Sequence, residues 1–260
     1  MTESFKWDGA DYQQFSRYQT EQGRELVKLL GAATSGKILD VGCGNGLLTL
    51  EIGNKNPDGF VIGIDSSEDM LRKAEENKKL HGIANVAFQT KSALSIDYKN
   101  ELDAIFSNSA LHWVNDHKEL LKKFYTALKP GGRIVSGFAS KGNVGLFLEA
   151  LRDVMLDEEF SPYFMDFNFS WYFPGEEYMD LIESTSFKVN NLEFITVEMR
   201  MTEDELRGWF RTVGMPYYGY LPEMYSLKFF DKVIGKYIES MQGKGIILTF
   251  KRIVVEAARE

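Results

Sequence analysis

The chain has a single cysteine, Cys43, in 260 residues, so it can form no internal disulfide, and with three scattered histidines it presents no ligand spacing for a metal site. A reducing cytoplasm is the compartment this implies, and Met1 to Asp11 shows neither an apolar signal core nor transit-peptide character. No stretch approaches the roughly 18 to 20 continuous apolar residues of a bilayer span, which sets a membrane role aside. Basic residues are in deficit, 30 Lys and Arg against 38 Asp and Glu for a net charge of -8, and this argues against a nucleic-acid partner, whose phosphates are held by clustered cations. Internal repeats and low-complexity linkers are also missing. What remains, 44% hydrophobic and 26% charged residues, suffices for one large α/β domain or a domain with a lid.

The organising stretch is Ile38-Leu39-Asp40-Val41-Gly42-Cys43-Gly44-Asn45-Gly46, an apolar run ending in an acid and opening into glycines. It reads as strand, tight turn and helix start, and Phe60-Val61-Ile62-Gly63-Ile64 followed by Asp65 is the next strand, completing a βαβ unit with an acid at each strand tip. The alternation continues with helices near 46–55, 67–80 and 116–128 and strands 85–89, 102–107 and 133–138. Ser66 and Ser67 can cap the second of these helices, and Lys129-Pro130-Gly131-Gly132 stops the third. Such alternation predicts a doubly wound, mostly parallel sheet covered on both faces. Ahead of it, a helix from Asp11 to Leu30 is expected to break or bend at Gly23, with Tyr12, Phe15 and Tyr18 on its packing face. Residues 141–175 carry aromatics without a clean period and predict short helices. A helix near 176–184, a strand near 187–198, helices near 202–213 and 226–241 and a strand near 246–257 follow. The 202–244 interval is too long for a hairpin loop and reads as a helical insertion.

Open parallel sheets bind ligands beyond the carboxyl ends of their strands. Gly42, Gly44 and Gly46 let a ligand lie against bare backbone, and amides at the next helix start favour an anionic group. To this point a nicotinamide dinucleotide and S-adenosylmethionine are both open. The dinucleotide fingerprint fails, because Leu47 stands where G-x-G-x-x-G needs its third glycine. Asp40 is adverse beside a pyrophosphate and suits an ammonium and a sulfonium, while Asp65 is placed for a bidentate bond to ribose hydroxyls.

Asp40-Val41-Gly42-Cys43-Gly44-Asn45-Gly46, Gly63-Ile64-Asp65-Ser66-Ser67 with Met70, Asn108-Ser109-Ala110-Leu111-His112-Trp113 and Leu128-Lys129-Pro130-Gly131-Gly132 resemble, in order and spacing, the motifs of class I S-adenosylmethionine-dependent methyltransferases. The resemblance is close over about residues 20 to 140. Asn108 to Trp113 is similar to the trans-aconitate, malonyl-carrier and juvenile hormone acid methyltransferase group, and Trp209 to Met215 and Phe250 to Ala257 agree more loosely with the trans-aconitate type. It implies a Rossmann-like, seven-stranded sheet with a helical lid between the last two strands: a cover over 1–36, a cofactor core over 37–140, lid segments 141–175 and 202–244, and final antiparallel strands 187–198 and 246–257. It implies S-adenosylmethionine as cofactor and S-adenosylhomocysteine as product, with Gly42 and Gly44 against the methionine part and Asp40 near its ammonium. Asp65 would hold the ribose, Ser66 and Met70 would flank the adenine, Gln19 (or Arg17) would hold the carboxylate, and the Asn108 backbone would approach the ammonium. One departure stands out: Lys91-Ser92-Ala93 occupies the place where relatives carry an acid for the adenine amino group, leaving Ser92 as a weaker acceptor with Ala93 beside it.

The relatives methylate carboxylates of small molecules, so carboxylate O-methylation by in-line displacement is the expected reaction, with a monomer or weak homodimer as the assembly. Small-molecule N-methylation, phenolic O-methylation, and a cofactor-binding module without transferase activity are the alternatives. His112 is the candidate to hydrogen-bond the acceptor or act as a base, against a role in fixing its loop, and Arg211 is the candidate to orient an acceptor carboxylate. Cys43 reads as structural. His81 and His117 read as surface helix residues.

Overall fold

The computed structural model describes residues 9–31 and 35–260, with side chains described from Gln19 onward. Helix α1 (Gly9–Leu30) precedes β1 (Lys37–Val41), α2 (Leu47–Lys55), β2 (Phe60–Asp65), α3 (Glu68–His81), β3 (Val86–Thr90), β4 (Leu102–Asn108), α4 (His117–Ala127) and β5 (Leu128–Ala139). Then come α5 (Gly145–Met155), α6 (Tyr178–Glu183), β6 (Phe187–Met201), α7 (Glu203–Val213), α8 (Met215–Tyr218), α9 (Glu223–Ser240) and β7 (Ile246–Arg259). The strands form one seven-stranded sheet in the order β3-β2-β1-β4-β5-β7-β6. Pairings β1–β2, β2–β3, β1–β4 and β4–β5 are parallel and β5–β7 is antiparallel, so the fold is Rossmann-like and doubly wound, with its order reversing between β1 and β4.

Two compact units share the chain. Among the described residues, the sheet unit comprises 19–31, 35–141, 171–195 and 252–260, and the helical unit comprises 9–18, 142–170 and 196–251. In the sheet unit, the period of two divides successive strand residues between two apolar layers. Leu39, Ile62, Ile105 and Ile134 pack with Leu120, Leu121 and Phe124 of α4, whereas Ile38, Val61, Phe106 and Val135 pack with Leu26, Val27 and Leu30 of α1 and with Leu50 and Ile52 of α2. Both faces of the sheet are therefore covered.

Local chemistry places the helices. The Ser67 hydroxyl accepts from the Met70 amide and Gly82 closes α3 in the left-handed region at φ 66°, while the Asp116 carboxylate caps α4 by accepting from Glu119 N–H. Gly23 does not break α1, so the break, one of the two outcomes expected there, is absent. A β-carbon there would come within 2.3 Å of Leu48 Cδ1 and 2.8 Å of Asn108 Nδ2, so the glycine serves close packing of an unbroken helix. The expected roles of Tyr12, Phe15, Arg17 and Tyr18 lie outside the described side chains. Over 145–155 the structure has a regular helix where only short ones are expected, and Phe147, Ala150, Leu151 and Val154 give it a helical stripe of buried residues.

Within the helical unit, Phe147 packs edge-on against Trp209, Phe210 and Tyr237, and Phe210 stacks on Phe230. Lys228, Lys232 and Lys236 along α9 pair with Glu159, Asp157 and Asp153, an exposed ladder that sets register more than stability. Thr202 and Glu205 form a reciprocal capping box at the start of α7.

Candidate cofactor and methyl-transfer site

The site is built where β1 and β4 end side by side in the sheet unit. After β1 the chain turns at Gly42 (φ 72°), and Gly42 and Cys43 amides both donate to the Ile64 carbonyl, at 2.8 and 3.0 Å. A β-carbon on Gly42 would stand 2.1 Å from the Ala110 β-carbon, so only glycine lets the turn meet the segment after β4. Asp65 ties this turn to the next. Its Oδ2 accepts from Gly44 N–H and its Oδ1 from Ser67 N–H, each at 2.9 Å, which fixes the carboxylate plane and leaves each oxygen a second lone pair. That is a donor-free acceptor pair of the kind that vicinal hydroxyls require.

Asp40 is 2% exposed and accepts from the Thr49 hydroxyl at 2.6 Å. Burial pushes its pKa up to about 7, against the lowering effect of Thr49 and with a further rise from the Asp65 charge. A carboxyl poised this way suits a cationic neighbour. At the start of α2 the N-cap Gly46 offers no side chain and Asn45 Oδ1 accepts from Leu47 N–H at a long 3.4 Å, so the amides that follow remain suited to an anionic group. Together these features fit the methionine and ribose parts of S-adenosylmethionine. Burial also pushes the Cys43 thiol up, away from thiolate character, in keeping with a structural role.

Asn108, at the tip of β4, is held through its side chain. Its Nδ2 donates to the Gln19 carbonyl at 2.9 Å, and its Oδ1 accepts from Arg252 Nη2 at 3.3 Å, while Arg252 Nη1 donates to Gln22 Oε1 at 3.4 Å. Gln19 thus meets the site through its backbone. Ser66 is exposed and Met70 half-buried on the α3 side. Ser92 is exposed, and its hydroxyl accepts from Leu94 N–H at 3.3 Å to cap the short turn Ala93–Ser95. Its neighbour Lys91 pairs with Asp97 at 2.5 Å and lies over the Tyr98 ring.

After β4, Ser109 adopts φ 57° and donates its amide to the Gly137 carbonyl at 2.7 Å, turning the chain into Leu111–Trp113. His112 sits among Trp113 and Phe173 at ring distances of 5.7 and 6.2 Å, with Trp171 stacked on Phe173. Its Nδ1 is buried and has no hydrogen-bond partner among the described residues. Burial lowers its pKa to about 3, so the imidazole is neutral at pH 7. His117 is not a surface residue as expected: it is 2% exposed, between Leu111 and Tyr178. Arg211 belongs to the helical unit, exposed on α7 with its guanidinium over the Phe230 ring at 5.7 Å.

The structure therefore gathers Gln19, Asp40, Gly42, Gly44, Asp65, Asn108 and His112 in the sheet unit. Thr49, Arg252 and His117 are partners that sequence reasoning missed. Arg252 had a signal, a charge inside the apolar run Ile253-Val254-Val255 and its neighbours, and Thr49 had none. Among the described residues, no His, Cys, Asp or Glu cluster is placed to hold a metal, and no helix is long and apolar enough to cross a membrane.

A methyltransferase-domain family model matches residues 33–160. An uncharacterized methyltransferase of Schizosaccharomyces pombe is 28% identical over 222 residues, 84% of this chain and 84% of that protein. A trans-aconitate 2-methyltransferase of Deinococcus radiodurans is 31% identical over 126 residues, 48% of this chain and 46% of that protein, so the match spans about half the length of that relative. A phosphoethanolamine N-methyltransferase 2 of Haemonchus contortus, solved with S-adenosyl-L-methionine, superposes with a TM-score of 0.58 at 20% identity over 92% of this chain and 52% of that one. The strand order, the glycine turn tied to Asp65 and these similarities agree: residues 33–160 match a methyltransferase domain, similar to those of the class I S-adenosylmethionine-dependent methyltransferases.

Proposed function

We propose that this chain methylates a carboxylate oxygen of a small organic acid, with S-adenosylmethionine as donor and S-adenosylhomocysteine as product. The observation that carries the reading is the buried, neutral imidazole that follows β4. In 109–114 the titratable side chain is His112, and its pKa near 3 suits hydrogen bonding better than proton abstraction. A carboxylate is already anionic at pH 7 and needs no base, whereas an ammonium or a phenol must first lose its proton. The trans-aconitate relatives support the same acceptor class.

When bound, the cofactor supplies an electrophilic methyl group on a sulfonium. Asp65 would receive the ribose hydroxyls on the lone pairs that Gly44 and Ser67 leave open, Asp40 would balance positive charge, and the amides opening α2 would receive the methionine carboxylate. Adenine would lie along Ser66 and Met70, with Ser92 and Ala93 at its edge. His112 would hydrogen-bond the acceptor as a neutral imidazole. Catalysis then rests on holding nucleophile, methyl and sulfur in line in a site with little water. The test is purified protein with labelled cofactor and a library of small acids, amines and phenols. Methyl esters as products support the reading; label confined to amines or phenols overturns it. Failure of millimolar cofactor and product to bind in calorimetry would overturn the transferase role itself.

A further inference from the structure

The segment after β4 is fixed by a buried imidazole at the start of α4. His117, the first residue of α4, places Nε2 3.0 Å from the Leu111 carbonyl and Nδ1 2.7 Å from the Tyr178 hydroxyl. A carbonyl only accepts, so Nε2 carries the proton, and in a neutral ring Nδ1 then accepts from Tyr178 O–H. The imidazole also stacks on Tyr172 at 4.1 Å between centroids, and Tyr172 N–H donates to the His112 carbonyl at 2.9 Å. Leu111 accepts in addition from Val114 N–H at 2.9 Å, and Ala110 is seated against Gly42. Ala110, Leu111 and His112 are therefore each held by a different contact, and two of the three pass through His117 or the ring stacked on it. His112, by contrast, has a buried Nδ1 that nothing among the described residues holds.

We propose that His117 and Tyr178 are positioning residues that aim His112: the Tyr178–His117–Leu111 chain and the Tyr172 stack set where the His112 backbone lies, and through it where the imidazole points. The inference rests on the proposed acceptor role of His112, but the geometry it asserts stands apart from that role. A buried polar relay with each donor matched to an acceptor gives one arrangement, where an apolar contact of equal volume would allow several. Tyr178 is closed in by Phe138 and Tyr172 at 5.6 and 6.2 Å, so its hydroxyl has His117 as the acceptor the structure provides.

The test uses the three histidines as their own reporters, in the intact chain labelled with 15N-histidine and observed by long-range imidazole NMR. In the wild-type protein, His117 is expected to show the Nε2–H tautomer with an accepting Nδ1; an Nδ1–H tautomer overturns the relay without any variant. Tyr178→Phe keeps the ring and removes the hydroxyl. It is expected to move the His117 and His112 signals and leave those of exposed His81 in place, with S-adenosylhomocysteine affinity by calorimetry changed by no more than about twofold, as for sites without shared partners. A fall in melting temperature with His112 signals unmoved would mean that the relay only stabilises the fold, and would overturn the proposal. His117→Gln, which offers an amide N–H to Leu111 and an amide oxygen to Tyr178, is expected to keep the His112 signals nearer the wild-type positions than His117→Leu does; equal displacement in both also overturns it. Loss of S-adenosylhomocysteine binding in the wild type would strike the proposed function and leave the relay to be judged on the tautomer and the variants.

Discussion

A carboxyl as deeply buried as Asp40 ionises readily only where a cation comes to meet it. With its pKa near 7, cofactor binding should draw the proton off, so affinity for S-adenosylmethionine is expected to rise between pH 6 and 7.5, below the range where a free α-amino group itself loses its proton. Calorimetry at the two pH values checks this, and Asp40→Asn should flatten the rise and weaken binding at the upper end. A flat wild-type profile would remove Asp40 from the cofactor's surroundings. Asp65→Ala deletes both the proposed ribose acceptor and the tie to Gly44, and a loss of at least about 2 kcal/mol in cofactor affinity is expected, the scale of truncating a charged hydrogen-bonding partner. Both acids were legible in the sequence, because a strand tip followed by a turn announces itself within a few residues. Arg252 and Asn108 stand 144 positions apart, and only strand order brings β7 close enough for their contact, so the orientation of Asn108 was not legible.

Elements obey local rules until packing overrides them. The strands and helices of the glycine-turn half were readable because apolar period and cap residues agree there, as at Ser67 and Asp116. A break at Gly23 was misread into α1 because propensity treats a mid-helix glycine as a weak point, while its neighbours show it to be a contact point with β4. The glycine turn is the sharper case. Gly42→Ala would place a methyl group at 2.1 Å from Ala110 in a left-handed backbone that costs a non-glycine residue about 1 to 2 kcal/mol, so a lower melting temperature and cofactor affinity down by about tenfold or more are expected. Unchanged affinity in a folded variant would show that the turn can shift without consequence. On α7, Thr202→Ala removes half of the capping box and should cost about 1 kcal/mol by urea denaturation while leaving cofactor affinity alone.

At the scale of the whole molecule, buried titratable groups set the pH response of stability, and here they oppose one another. His117 and His112 have folded pKa values of about 4 and about 3, below the ordinary 6.5, so the unfolded chain binds protons that the folded one refuses. Their contribution is fully present above pH 6.5 and is lost as pH falls toward 4 and 3; for His117 it is on the order of 3 kcal/mol. Asp40 acts in the opposite sense. Its folded pKa near 7 exceeds the ordinary 3.8, so the folded chain holds a proton that the unfolded one has released, and stability falls as pH rises from 3.8 through 7. Across pH 4.5 to 7 the two slopes overlap, and the wild-type protein should show only a shallow rise in its urea midpoint. Asp40→Asn removes the opposing group, and the histidines then act alone. The variant is expected to rise more steeply than the wild type over that interval, and an equal or shallower slope would show that Asp40 does not hold its proton in the folded chain.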